Sequence, residues 1–169
     1  MHHDKKQRAF TLLELLISLA LLTLLITIAL PSLARTVERN RNFAAMHEIH
    51  AQLQQARAQA ILRKQDIELC PSKNGMQCTL DWKNWWLMRV RSSKEHIYYA
   101  APHSGPTELR WSGFSGSIRF HGNGTSPISN GRFYICEQGT INIQVVINRQ
   151  GRVRWASDQE NRQESARCL

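Results

Sequence analysis

Hydrophobic and polar residues divide this chain into three stretches with different periods. From Phe10 to Leu30 the chain is apolar, and Glu14 is its one charge. Wound as a helix, that run is long enough to cross ~30 Å of hydrocarbon. Residues 32–65 contain no Gly or Pro. There Val37, Ala44, Ala45, Ile49, Leu53, Ala56, Ala60 and Ile61 recur at three- and four-residue steps, opposite Arg39, Arg41, Glu48, Gln52, Gln55 and Gln59. This spacing predicts an amphipathic helix packed on one side. After Asp66 the pattern changes to short apolar runs separated by turn residues. Candidate strands are Ile67–Cys70, Trp85–Val90, Ile97–Ala100, Leu109–Trp111, Ser117–Phe120, Arg132–Cys136, Ile141–Asn148 and Arg152–Ala156. The expected fold class is α+β, with one long N-terminal helix laid against antiparallel sheet.

Finer features adjust this outline. Ile141, Ile143, Val145 and Ile147 alternate with polar Asn142 and Gln144, the pattern of a half-buried strand. Val146 interrupts the alternation and points to a second layer. Trp82, Trp85 and Trp86 read as core or rim packing more readily than as a stacking platform. His47 and His50 lie three apart on the predicted helix, with too few neighbouring ligands for a metal. His121-Gly122-Asn123-Gly124 lacks the Lys-Ser/Thr of a phosphate loop and reads as a tight turn.

Glu14 is the most informative residue of the N-terminal segment. A carboxylate in hydrocarbon is costly and ordinarily has a partner. Lys5, Lys6 and Arg8 precede the apolar run and hold the N-terminus on the cytoplasmic side. A secretory signal cut after Ser32-Leu33-Ala34 is the rival reading, but a carboxylate within the apolar region serves no purpose there. A basic leader, a small residue, Phe10-Thr11-Leu12-Leu13-Glu14, a long apolar run and Pro31 together resemble a type IV prepilin or type II secretion pseudopilin. The resemblance implies cleavage by prepilin peptidase between Ala9 and Phe10 and N-methylation of Phe10. It also implies neutralisation of one subunit's Phe10 amine by its neighbour's Glu14, and a helix kink at Pro31. Ala9 departs from the family, which nearly always has Gly there. Ser117–Gly124, Asn130–Cys136, Ile141–Asn148 and Gly151-Arg152-Val153-Arg154 resemble the GspH/FimT family of minor pilins and pseudopilins. The expected layout is a leader over 1–9, a transmembrane and pilus-core helix over 10–30, an amphipathic helix over 31–65 and a β-rich part over 66–169.

Composition narrows the class of partner. The formal net charge is +9. The leader, with Lys5, Lys6 and Arg8 against Asp4, holds only a small part of it. Anionic partners follow: nucleic acid, lipid headgroups or acidic polysaccharide. The four cysteines, Cys70, Cys78, Cys136 and Cys168, form no Cys-x-x-Cys pair, which argues against zinc. In an exported domain an even count suggests disulfides, and three pairings are open. Cys70–Cys78 and Cys136–Cys168 are favoured, the first because Pro71, Asn74 and Gly75 are turn residues. No nucleophile–base pair, metal-spaced cluster or paired acids suggests an enzyme, and no cofactor is expected.

Gly151-Arg152-Val153-Arg154 is the candidate for a specific function. Strand geometry places Arg152 and Arg154 on one face ~6.6 Å apart, with Val153 and Trp155 turned inward. Guanidiniums at that separation suit successive phosphates. Arg149 adds a third charge, and Arg162 and Arg167 add more if a Cys136–Cys168 bridge holds the tail beside this strand. From Trp111 to Arg154, Arg119, Arg132, Arg149, Arg152 and Arg154 face a single acid, Glu137. In the FimT branch a Gly-Arg-x-Arg element is associated with DNA capture during natural transformation, so the resemblance assigns Arg152 and Arg154 as phosphate contacts. The competing reading makes them solvated arginines that protect an edge strand. The expected protein is a single-pass inner-membrane minor pilin with a periplasmic domain. It leaves the membrane for a pilus fibre, contacts other pilins and binds DNA without sequence preference. The alternative is a structural pseudopilin of a type II secretion machine.

Overall fold

The computed structural model describes residues 11–83, 85–93, 95–99 and 109–169. The leader, the Ala9–Phe10 junction and the predicted strand end at Ala100 lie outside these residues. A single helix, α1 (Leu12–Arg63), runs through two compact units, one ending at Arg39 and the other beginning at Asn40.

In the first unit α1 is exposed throughout. Its most apolar 18-residue window has a mean hydropathy of 2.5, with none of it buried, so by length and composition it qualifies as a membrane span. The hydroxyls of Ser18, Thr23 and Thr27 donate to the carbonyls of Glu14, Ala20 and Leu24 at 2.7, 2.8 and 2.8 Å. Those donors are therefore satisfied within the helix, as a hydrocarbon setting demands. Pro31 lies inside the helix, where it supplies no backbone donor. Val37, assigned to the apolar stripe by spacing, is 41% exposed. It precedes Asn40 and belongs to the unit whose apolar residues are uncovered.

In the second unit α1 buries Asn42, Ala45, Met46, Ile49, Gln52, Leu53, Ala56 and Ala60. The stripe keeps the helical period but is rotated from the one drawn from sequence: Gln52 is inside, whereas Ile61 is 47% exposed. The helix stops where Lys64 takes a left-handed conformation (φ 52°) and the Gln65 N–H returns to the Ala60 carbonyl.

Two antiparallel four-stranded sheets complete the unit. The first contains β1 (Ile67–Ser72), β2 (Trp85–Val90), β3 (His96–Tyr99) and β5 (Ile118–Phe120) in the order β3-β2-β1-β5. The second contains β4 (Arg110–Gly113), β6 (Gly131–Glu137), β7 (Thr140–Ile147) and β8 (Val153–Trp155) in the order β4-β6-β7-β8. Leu109, placed in a strand by its apolar character, is buried just ahead of β4. Pro71 is tolerated in β1 because the pairing with β5 ends at Leu69, and beyond it Pro71 is met by the Thr79 N–H, which needs only its carbonyl (2.7 Å).

One core joins these elements. Met46, Ile49, Leu53, Ala56 and Ala60 of α1 pack with Ile67, Leu69, Trp86, Met88, Val90, Ile118 and Phe120 of the first sheet and Phe133, Ile135, Val145 and Ile147 of the second. Trp82 joins them, edge-on to Phe133 at 4.7 Å. The structure links Cys70 to Cys78 and Cys136 to Cys168. A short helix not expected from the sequence, α2 (Asp158–Gln163), and a 3-10 turn at Ser165–Cys168 pack on β7.

Candidate nucleic-acid interface

The Gly-Arg-Val-Arg segment begins in a turn that only glycine fits. Gly151 has φ +73°, and a Cβ on it would run into the Gly124 carbonyl oxygen. Gly124, itself at φ +80°, belongs to the His121–Thr125 turn, closed by His121 N–H to Thr125 O at 2.8 Å. The two turns interlock. The Ser126 N–H donates to Arg149 O at 3.0 Å, and Arg57 of α1 donates from Nε to Gly124 O at 3.0 Å and from its terminal nitrogen to Gln150 O at 3.4 Å. Arg57 is thus a structural staple beneath the candidate site, and sequence reasoning did not single it out. Beside it lies a shallow groove of about 280 Å³ lined by Gln54, Arg57, Ala58, Ile61 and Val153.

Gly151→Ala is expected to destabilise the globular unit by about 2 kcal/mol from the left-handed backbone and the contact with Gly124. Urea denaturation measures it, and a loss under about 0.5 kcal/mol, the scale of a neutral surface change, would refute the packing argument.

Beyond the turn, the Asn148 side chain accepts the Arg152 N–H at 2.9 Å and the Asn148 N–H donates to Arg152 O at 3.2 Å, fixing the start of β8. Val146 lies opposite Arg154, and Arg132 lies opposite Val146 on its other side. Val153 and Trp155 turn the other way and pack against the core. Trp155 rests on two α1 rings, His47 and His50, with centroids 4.7 Å from each. His50 is held below its ordinary pKa by burial and by neighbouring His47.

The five arginines named from sequence have different environments. Arg149, Arg152 and Arg162 are exposed, and their guanidiniums have no partner among the described residues. Arg154 is engaged: its two terminal nitrogens donate to the two oxygens of Glu160, each at 2.7 Å. Glu160 also accepts the Ser157 N–H at 3.1 Å, while the Ser157 hydroxyl accepts the Glu160 N–H at 3.2 Å. This is the reciprocal capping box of α2. The hydrogen bonds from Arg154, then that from the Ser157 backbone, hold the Glu160 carboxyl down at about 2. Arg167 lies away from β8. It pairs with Glu164 at 2.6 Å and reaches Ser112 of β4, at the opposite edge of the sheet, at 3.0 Å. Glu164 also pairs with Arg132 at 2.8 Å. Of the tail's two candidate arginines, Arg167 is thus engaged elsewhere and Arg162 is exposed on α2, and the same tail brings three acids, Asp158, Glu160 and Glu164.

Among the described residues, Glu68, Cys70 and Cys78 are close enough together to hold a metal ion. Both sulfurs are committed to the disulfide, which leaves no thiolate to ligate one.

The chain belongs to the GspH family of minor type IV pilins and pseudopilins: the family model for type II transport protein GspH matches residues 45–151, and that for the prokaryotic N-terminal methylation motif matches residues 4–30. The GspH match ends at Gly151, so Arg152, Arg154 and α2 lie beyond it. In structure the chain is similar to the type IV minor pilin FimU of Pseudomonas aeruginosa in two crystal forms. For the P21 form the TM-score is 0.55 at 25% identity, covering 73% of this chain and 94% of that one. For the P65 form it is 0.52 at 26% identity, covering 69% and 93%. No match was found among curated protein sequences. The apolar helix and the family fit a membrane-anchored subunit with a soluble C-terminal domain that interacts with other pilins or pseudopilins.

Proposed function

We propose that this chain is a minor type IV pilin that primes or decorates a pilus and captures DNA for uptake in natural transformation. Prepilin peptidase removes the leader after Ala9, and Phe10 becomes the methylated N-terminus. Among the described residues no side chain pairs with the Glu14 carboxylate, which supports a partner from outside the chain: a neighbouring subunit's Phe10 amine. Pro31 gives the helix a bend at the membrane boundary. Before assembly the helix rests in inner-membrane lipid with the globular domain in the periplasm. The role is structural and adhesive, with no catalysis.

The observation that carries the DNA reading is the pair of unpartnered guanidiniums on the Gly151 turn, Arg149 and Arg152, with unpartnered Arg162 on α2. Guanidiniums bond phosphate in a bidentate fashion, and such binding is independent of sequence and sensitive to salt. A single subunit that neutralises few phosphates binds weakly, and neighbouring subunits on a fibre supply avidity. The test is a polarisation titration of the full chain in neutral detergent against labelled duplex DNA. Arg149→Gln/Arg152→Gln is expected to weaken binding at low salt and to flatten the salt slope by about 1.8, near 0.9 for each phosphate no longer neutralised. Unchanged affinity, or unchanged transformation in a strain that still makes pili, would refute the DNA role.

One observation favours a second reading: the matching family model is that of a type II transport protein. On that reading the chain is a structural pseudopilin. Deletion that blocks secretion and spares piliation would select it.

A further inference from the structure

The arginine expected from sequence to bind phosphate beside Arg152 is already occupied. The guanidinium of Arg154 and the carboxylate of Glu160 meet through two hydrogen bonds of 2.7 Å. That fork is the same geometry a guanidinium offers a phosphate. A phosphate oxygen can therefore reach this edge of Arg154 only after Glu160 leaves. Arg152, two residues earlier at the entry to β8, has no such counter-ion among the described residues.

We infer that Glu160 is an internal competitor for phosphate: it withholds Arg154 from an anionic backbone, so the resting domain binds through the guanidiniums of Arg149 and Arg152. The inference rests on the DNA reading proposed above and assigns a further residue to that same site.

Glu160 is held in place from behind, which distinguishes it from a mobile surface acid. Its second oxygen also accepts the Ser157 N–H, and its own N–H is bound by the Ser157 hydroxyl. Further along the segment, Asn161 donates to Asn142 O at 3.3 Å and the Ser165 hydroxyl accepts the Ile141 N–H at 3.0 Å. Cys168 closes the segment onto β6 through Cys136. With the carboxylate so positioned, little side-chain entropy is spent in keeping it on Arg154. The segment repeats the device one turn further on, where Glu164 takes both Arg132 and Arg167. Three guanidiniums are thereby matched to two carboxylates, while Arg149 and Arg152 at the Gly151 turn stay exposed.

The experiment compares wild type, Arg152→Gln, Arg154→Gln, Glu160→Gln, the Arg154→Gln/Glu160→Gln double variant and Ser157→Ala. Each is used as the full chain in neutral detergent, titrated with labelled duplex DNA over a salt series and checked for its melting temperature. Gln retains the capping geometry at this position while losing the charge. Glu160→Gln is expected to tighten binding about three- to tenfold at low salt and to steepen the salt slope by about 0.9, the signature of one more phosphate neutralised. In the wild-type background Arg154→Gln costs far less than Arg152→Gln, and in the Glu160→Gln background it abolishes the gain. Ser157→Ala removes the cap, leaves the ion pair and does not tighten binding. Tightening by Ser157→Ala to the same extent would assign the gain to a loosened helix and overturn the inference. So would an Arg154→Gln loss as deep as that of Arg152→Gln, or no gain in a folded Glu160→Gln chain. Wild-type binding that responds to Arg152 under those outcomes leaves the DNA reading standing. No binding by any of the chains at low salt overturns both.

Discussion

Arg89→Met is expected to cost the globular unit about 3 kcal/mol, the lower end of what breaking a buried ion pair costs. Glu68 is 6% exposed in the middle of β1, directly opposite Arg89 of β2. Arg89 donates to one Glu68 oxygen through two nitrogens at 2.9 and 2.7 Å. The other oxygen accepts the Ser117 hydroxyl at 2.8 Å and lies 3.5 Å from Arg91. The buried carboxylate is thus fully engaged, and removing Arg89 strands half of it. Because Ser117 and Arg91 remain, the cost stays near the bottom of the range. A loss of about 3 kcal/mol lowers the melting temperature of a unit this size by roughly 10 °C.

The pH dependence gives the prediction a second edge. Burial alone pushes the Glu68 carboxyl up. The hydrogen bonds from Arg89 and Ser117, with the charges of Arg89 and Arg91, outweigh it and leave the group below its ordinary value. A carboxyl depressed on folding adds stability that is fully present above its unfolded pKa of about 4.3 and is lost as pH falls through the folded value. The Arg89→Met penalty should therefore shrink as pH drops below about 4, because protonated Glu68 no longer requires a counter-charge. Replacing both partners, as Glu68→Leu/Arg89→Met, should recover much of the loss. Urea denaturation across pH decides the matter, and a penalty under about 1 kcal/mol at neutral pH, or one that grows with acid, would sink the account.

The parts of this fold that could be read from sequence are those set by local periodicity. The apolar run Phe10–Leu30 and the helical spacing over residues 32–65 together predicted the long helix α1, and the apolar run Trp85–Val90 coincides with β2. Features decided by distant partners were not readable. Gln52 looked polar and therefore external, yet three-dimensional packing puts it inside. The spacing of Arg152 and Arg154 predicted a common strand face, whereas β8 itself begins at Val153. The spacing could not show that one guanidinium is free while the other is held by a carboxylate six residues on. One missed element did leave a signal: Ser157-Asp158-Gln159-Glu160 has the Ser-x-x-Glu spacing of a capping box, and reading it would have predicted both α2 and a fixed acid beside β8. Arg57 left no such trace, because its partners are carbonyls 67 and 93 residues away.

Removing the two disulfides should have unequal effects, with Cys136→Ala/Cys168→Ala the more damaging. The bridge spans 32 residues, against 8 for Cys70–Cys78. On loop-closure entropy the longer loop contributes about 3.5 kcal/mol and the shorter about 2.5. Local structure widens the gap. The Cys70–Cys78 loop is held independently of its sulfurs: Asn74 Oδ1 accepts the N–H groups of Met76 and Gln77 at 3.0 and 3.1 Å, and Ser72 Oγ accepts that of Gly75 at 2.9 Å. Thr79 N–H also returns to Pro71 O at 2.7 Å. The segment after α2 has less support, and its 3-10 turn has no side-chain cap. Without Cys168 the end of the chain should fray back to the Ser165 and Asn161 hydrogen bonds, releasing Arg167 from Ser112 first. The long-range bridge is thus expected to lower the melting temperature by more than about 10 °C and the local one by clearly less. Calorimetry on the two alanine pairs reads this directly. Equal shifts, or a larger one for Cys70→Ala/Cys78→Ala, would show that loop length and the asparagine-centred turn do not set the order.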